Sequence, residues 1–148
     1  MIISMAAFEH ILDLDILLVE MKNKLKNGGR IVTGFGPLYN SPWGDYNRLK
    51  HKLPWTHVML SENYFIKKIN KNRNNNIESI ADLGLNGYSL KAYKQVFNNT
   101  EGLKVIDFRT NQSDKLGMKI FNLLSYLPFL KEFFTYNIYC VLKRVKTN

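Results

Sequence analysis

The stretch from Met1 to Gly36 places the strongest constraint on the fold. A short apolar run, Met1-Ile2-Ile3-Ser4, reads as the tail of a buried strand. A helix with clear boundaries follows. Asp13 stands at its start as a cap, and Asp15 puts an acid in the first turn, where the helix dipole favours one. Leu14, Leu17, Leu18, Met21 and Leu25 recur at helical spacing and predict one apolar face. Lys22, Lys24 and Lys26 load the last turns, and Gly28-Gly29 stops the helix. Arg30-Ile31-Val32-Thr33-Gly34-Phe35-Gly36 comes next and reads as a mostly buried parallel strand, its glycines marking close approach of backbone or ligand. A helix, a Gly-Gly stop and a buried strand are the second half of a βαβ unit, which commits the chain to an α/β sheet.

The remainder continues that pattern with one interruption. Pro37, Pro42 and Gly44 lead into a loop rich in aromatics: Tyr39, Trp43, Tyr46 and Trp55. Ser61 to Ile69 predicts a helix capped by Ser61, with Tyr64, Phe65 and Ile69 on one face. Asn70 to Asn76 is polar and asparagine-rich, the composition of a surface loop. Ser89 caps a further helix whose apolar face is Leu90, Tyr93, Val96 and Phe97. Leu103 to Arg109 has strand character, Leu116 to Phe134 is apolar and helical with a break at Pro128, and Asn137 to Arg144 is the last strand. We read residues 1–148 as a single domain with one core, and 37–87 as an insertion within it.

Composition narrows the function classes. A hydrophobic content of 45% excludes a disordered chain, and one cysteine excludes a disulfide scaffold. The net charge of +9 suits nucleic acid, anionic lipid or an acidic substrate. Much of the excess lies in Lys67–Arg73 and in Lys143, Arg144 and Lys146. Neither group is interleaved with aromatics, which argues against a nucleic-acid platform. Cys140 sits in the apolar run Ile138–Leu142 and reads as a small buried side chain. With no basic region ahead of the apolar residues at Met1–Phe8, this fits a reducing cytoplasm. Ile120 to Leu130 is too short to span a bilayer and contains Pro128, so only peripheral membrane contact stays open.

No Walker loop, GxGxxG, HExxH, GxSxG or Cys/His cluster is present. His10, His51 and His57 are too dispersed for a metal site, and no metal is expected. The informative unit is Ser4-Met5-Ala6-Ala7-Phe8-Glu9-His10-Ile11-Leu12-Asp13. Small residues leave a strand end, then comes Phe-Glu-His, then an acid opening a helix. Ligands of open α/β sheets bind at such strand ends.

Phe8-Glu9-His10-Ile11, followed by Leu25-Lys26-Asn27-Gly28-Gly29-Arg30, resembles the class I S-adenosylmethionine-dependent methyltransferases, in particular the methyltransferase type 11 group. That family carries the first segment after its fourth strand and Leu-Lys-Pro-Gly-Gly-Arg before its fifth; Asn27 stands where proline is usual. The resemblance implies a partial Rossmann-like sheet of strands four to seven with flanking helices, the seventh strand antiparallel between the fifth and sixth. It also implies an N-terminally truncated domain. The family's first three strands, with the glycine-rich loop and the ribose-binding acid, have no counterpart here.

By the same resemblance, Ser4, Met5, Phe8 and His10 would line the cofactor and transferring methyl. Tyr39, Trp43, Trp55 and Asn86 would face a small-molecule, sugar or lipid-like acceptor. His10 or His57 would serve as the base where the acceptor must lose a proton. S-adenosylmethionine binding by this chain alone is expected to be weak or absent. The partner would be a missing N-terminal half or, in the non-catalytic alternative, another chain that completes the sheet.

Overall fold

The computed structural model describes residues 1–48, 50, 52–71, 76–112 and 116–146. The chain begins with β1 (Ile2–Met5), a single 3-10 turn at Phe8–His10, α1 (Leu14–Lys24) and β2 (Arg30–Phe35). Asp13 holds the N-cap position of α1, but its side chain makes no capping hydrogen bond. The helix start is held instead by burial of Leu14 and Leu18. At the far end Arg144 donates to the carbonyls of Lys22 and Leu25, closing the last turn of α1. That basic residue belongs to the fold rather than to a charged surface patch.

A long excursion follows β2. It contains α2 (Thr56–Met59), which the sequence pattern does not suggest, α3 (Glu62–Lys71) and a 3-10 turn at Ala81–Leu83. Ser61 accepts from Tyr64 N at the start of α3. The buried face of α3 is Phe65, Ile66 and Ile69, whereas Tyr64 is exposed. The expected stripe is therefore rotated by one position. These residues join Ile77, Leu83 and Leu85 in a small second core, so the insertion carries its own hydrophobic cluster instead of drawing on one. The asparagine-rich loop expected over 70–76 lies, for 72–75, outside the described residues.

Ser89 caps α4 (Leu90–Asn99) through Ala92 N at 3.0 Å, as its position predicts. The chain then passes through β3 (Leu103–Thr110), α5 (Leu116–Ser125) and β4 (Ile138–Arg144). α5 ends before Pro128, and the apolar residues after it continue in turns rather than in helix.

The described strands form one mixed open sheet in the order β1-β2-β4-β3. β1 pairs parallel with β2, and β4 runs antiparallel to both β2 and β3. The last strand thus lies between the second and the third. The C-terminal ends of β1, β2 and β3 all point to one end of the sheet.

The helices do not cover both faces. On one face Ile31, Phe35, Ile138, Cys140 and Leu142 are buried against Phe8, Leu14, Leu18, Tyr93 and Phe97. On the other, Ile3 and Met5 are exposed and Val32, Tyr139 and Val141 are only partly buried. The outer edge of β1 has no strand beside it among the described residues. Sheets with parallel pairs normally have both faces covered.

Burial fixes the state of Cys140. Its thiol is pushed up to about 12 by the apolar surroundings, with the charge of Asp107 acting the same way. A raised folded pKa adds no penalty below the unfolded value of 9.0 and costs stability as pH rises from there toward about 12. The urea midpoint is expected to fall across that window, and Cys140→Ala to reduce the fall. An unchanged slope in the variant would count against the buried thiol.

Candidate functional site at the strand ends

The chain leaves β1 through Ala6, which takes a left-handed φ of 49° and donates its N–H to Gly34 O at 2.8 Å. This sharp exit turns Phe8 inward. Phe8 is fully buried, with its ring 5.6 Å from Phe35 and 6.2 Å from Phe97. It therefore anchors the turn in the core rather than lining an open site. Glu9 follows and is also drawn inside, at 3% exposure.

Burying a carboxylate is costly unless it is hydrogen-bonded. Glu9 Oε1 accepts from Gly36 N at 3.3 Å and from Tyr46 OH at 3.0 Å. Its other oxygen, Oε2, is buried and has no hydrogen-bond partner among the described residues. The Tyr46 hydroxyl is pushed above the ordinary tyrosine range, first by burial and then by the Glu9 charge. That keeps it protonated and donating. Glu9 thus ties the end of β1 to the loop that leaves β2.

Gly36 makes this possible. Its φ is +148°, and a Cβ there would lie 2.6 Å from Tyr136 O. Gly34 has a different reason: a Cβ would lie 2.9 Å from both Met5 Cε and the Tyr139 ring. Both close approaches are made by the chain itself.

His10 is partly exposed, and its ring lies 5.2 Å from that of Tyr46. Nδ1 meets Gly84 O at 2.5 Å. A carbonyl only accepts, so Nδ1 carries the hydrogen and Nε2 of the neutral ring is left with the lone pair. The imidazole is thereby held in one tautomer, with a basic nitrogen on the side away from Gly84.

The other expected residues are distributed differently. Ser4 is half-buried within β1, in register with Thr33, and Met5 is exposed. Asn86 is an internal clamp. Its Nδ2 donates to Phe8 O at 2.7 Å and Ile11 O at 3.0 Å, while Oδ1 accepts from Tyr88 N and Tyr93 OH, each at 3.0 Å. His57 is sealed in: Nε2 donates to Tyr39 O at 2.6 Å, and Nδ1 faces Asp45 Oδ1 at 3.6 Å, with neither side chain exposed. Tyr39 packs edge-on against the His57 ring, and its hydroxyl is pushed up to about 12 by burial, then by Glu62 and Asp45. Trp55 donates from Nε1 to Phe133 O at 3.1 Å and packs against Phe121 and Phe134. Trp43 is partly exposed, at 42%, on a left-handed backbone.

The structure therefore brings Glu9, His10 and Tyr46 together and uses Asn86, His57 and Trp55 to hold the loops around them. Glu9 and Tyr46 are the members that the sequence does not single out: Glu9 lies inside the Phe-Glu-His segment without a role of its own, and Tyr46, one aromatic among four in its loop, carries no local mark of its carboxylate partner. His51 lies outside the described residues. Among the described residues no group of three or more His, Cys, Asp or Glu could hold a metal ion. A cavity of about 670 Å³ opens between α1 and α4, lined by Asp15, Val19, Tyr88 and Thr100, on the helix layer rather than at Glu9.

No protein-family model matches the sequence, and no curated protein matches it.

Proposed function

We propose that this chain supplies the second half of a class I S-adenosylmethionine-dependent methyltransferase sheet, whose completed domain methylates a small-molecule, sugar or lipid-like acceptor. The observation that carries this reading is the mixed sheet, with β4 antiparallel between β2 and β3, combined with a buried Glu9 and a polarised His10 at the end of β1. The bare edge of β1 and the uncovered sheet face supply room for further strands and helices.

The strand-end residues suit one end of the cofactor. A buried carboxylate with an open oxygen favours a cationic neighbour such as a sulfonium or an ammonium group. For the nucleoside end, no glycine-rich loop stands at the end of β1 among the described residues. S-adenosylmethionine, when bound, supplies an electrophilic methyl group. This chain's contribution is positioning and proton handling. Glu9 fixes the exit of β2 through Gly36 and Tyr46, and His10 Nε2 accepts a proton from an acceptor hydroxyl or amine.

The open edge also supports a second reading, a non-catalytic half-domain that completes its sheet with a partner chain. Calorimetry with S-adenosylmethionine separates the two. The 148-residue chain alone is expected to show no saturable micromolar binding. Joined behind the first three strands and glycine-rich loop of a class I methyltransferase, it is expected to bind, with Glu9→Gln weakening binding roughly tenfold. A folded fusion that binds nothing overturns the methyltransferase reading. Micromolar binding by the chain alone overturns the half-site reading.

A further inference from the structure

β3 and β4 pair directly, with Thr110 opposite Ile138, yet residues 111–137 intervene where a two-residue turn would join them. This excursion leaves from the same end of the sheet as the Glu9 cluster. Its inner side is well anchored: Phe121 and Phe134 pack on Trp55 and on each other, and Asn111 holds Phe134 O and Tyr136 N. Its outer side is apolar and open. Leu123 is 69% exposed, Tyr126 83% and Phe129 71%, and Met59, 81% exposed, lines an apolar cleft with Leu130 and Phe133 of the excursion. Exposed aromatic and aliphatic groups clustered in this way mark an interaction surface.

The charges around it identify the occupant. The described charged residues of the excursion are Lys119, Lys131 and Glu132. Lys119 and Lys131 are exposed. Glu132 is turned inward, where Oε1 accepts from Leu90 N at 2.7 Å and Asn40 Nδ2 at 2.9 Å. The described part of the excursion therefore exposes apolar side chains together with two lysines, while its one described carboxylate is taken up inside the fold. That composition suits an interfacial segment on an anionic bilayer. A second copy of the chain would bring like charges face to face. No helix among the described residues is long and apolar enough to cross a membrane, so the segment would lie on one.

We propose that the 116–137 part of the excursion docks this protein on the surface of an anionic lipid membrane. The inference is independent of methyl transfer. The test is co-sedimentation of the full chain with phosphatidylcholine vesicles, with and without phosphatidylserine. Binding is expected to be stronger to the anionic vesicles by roughly tenfold. The double variant Leu123→Ser/Phe129→Ser is expected to lose binding to both. Lys119→Glu/Lys131→Glu is expected to lose only the anionic preference. All four positions are solvent-facing, and circular dichroism checks that each variant folds. Ile16→Ser, an equally exposed position on α1, is expected to bind like the unaltered chain. Equal sedimentation of the serine double variant, or none of the unaltered chain, overturns the proposal. So does a concentration-dependent dimer in sedimentation velocity that the serine variant abolishes, which would assign the surface to protein.

Discussion

Replacing Asn86 by alanine is expected to lower stability by about 3 kcal/mol, because four hydrogen bonds converge on this one amide. Its Nδ2 satisfies the carbonyls of Phe8 and Ile11, one on each side of the Glu9-His10 turn. Its Oδ1 satisfies Tyr88 N and the Tyr93 hydroxyl, which is 1% exposed as a residue and pushed up by burial. Alanine removes the Asn86 partner of Ile11 O and Tyr88 N, and leaves Tyr93 OH and Phe8 O only their long mutual contact at 3.4 Å. Asn86→Asp is expected to be nearly as damaging, since a carboxylate opposes two carbonyl oxygens where an NH₂ donated. Urea unfolding of both variants at neutral pH measures the loss. A change of less than about 0.5 kcal/mol would count against the clamp and leave open the acceptor-facing role that the family resemblance implies for Asn86. The clamp also sets where Glu9 and His10 stand, since it holds the carbonyls on both sides of them.

The second large effect is expected in the aromatic core. Phe97 is fully buried, with ring centroids 6.2 Å from Phe8, 6.4 Å from Phe35, 6.2 Å from Tyr93 and 6.5 Å from Phe108. Phe97→Ala removes the ring that joins α4 to the sheet and to the exit of β1. A loss of about 4 kcal/mol is expected, a large share of the roughly 5–15 kcal/mol that stabilises a domain. Phe97→Leu keeps most of the volume and is expected to lose about 1.5 kcal/mol. Thermal unfolding of the pair measures the difference. Similar midpoints for the two variants would mean that the cluster relaxes around the vacancy and that α4 is held elsewhere.

Both effects run through the Phe8-Glu9-His10 turn, and both show how much of it could be read from residues alone. The helix α1, its Gly-Gly stop and β2 were legible because caps, periodicity and glycine stops act within a few positions. Ser89 was legible for the same reason, since a serine cap needs only the amide three residues on. Asp13 was not: its side chain makes no capping bond, and packing of Leu14 and Leu18 holds the helix instead. The stripe on α3 was read one position off because Tyr64 and Ile66 are both apolar enough to face inward. Only the position of Leu83 and Leu85 opposite decides between them.

The candidate site divides along the same line. A small-residue strand exit followed by Phe-Glu-His before a helix is a local pattern, and it marks the turn and His10; the role of Glu9 within it comes from its burial and its hydrogen bonds. The partners of those residues are remote in the chain. Tyr46 reaches Glu9 from 37 positions away, and Gly84 fixes the His10 tautomer from 74. The roles of His57 and Asn86 turned on the same distance. Each looks like an available polar side chain in its own loop, and each is consumed by backbone carbonyls that folding delivers to it.

Residue order alone therefore determined the βαβ core, the placement of most helices and strands, and the turn that carries the two polar groups. Those features depend on torsional preference and on which face of an element is apolar, and both are local quantities. The tertiary structure decided that Glu9 Oε2 has no partner among the described residues, that His10 Nδ1 is tied to Gly84 O, and that Leu123, Tyr126 and Phe129 stay in water. Those outcomes depend on burial and on hydrogen bonds between distant segments, and they exist only once the segments have met.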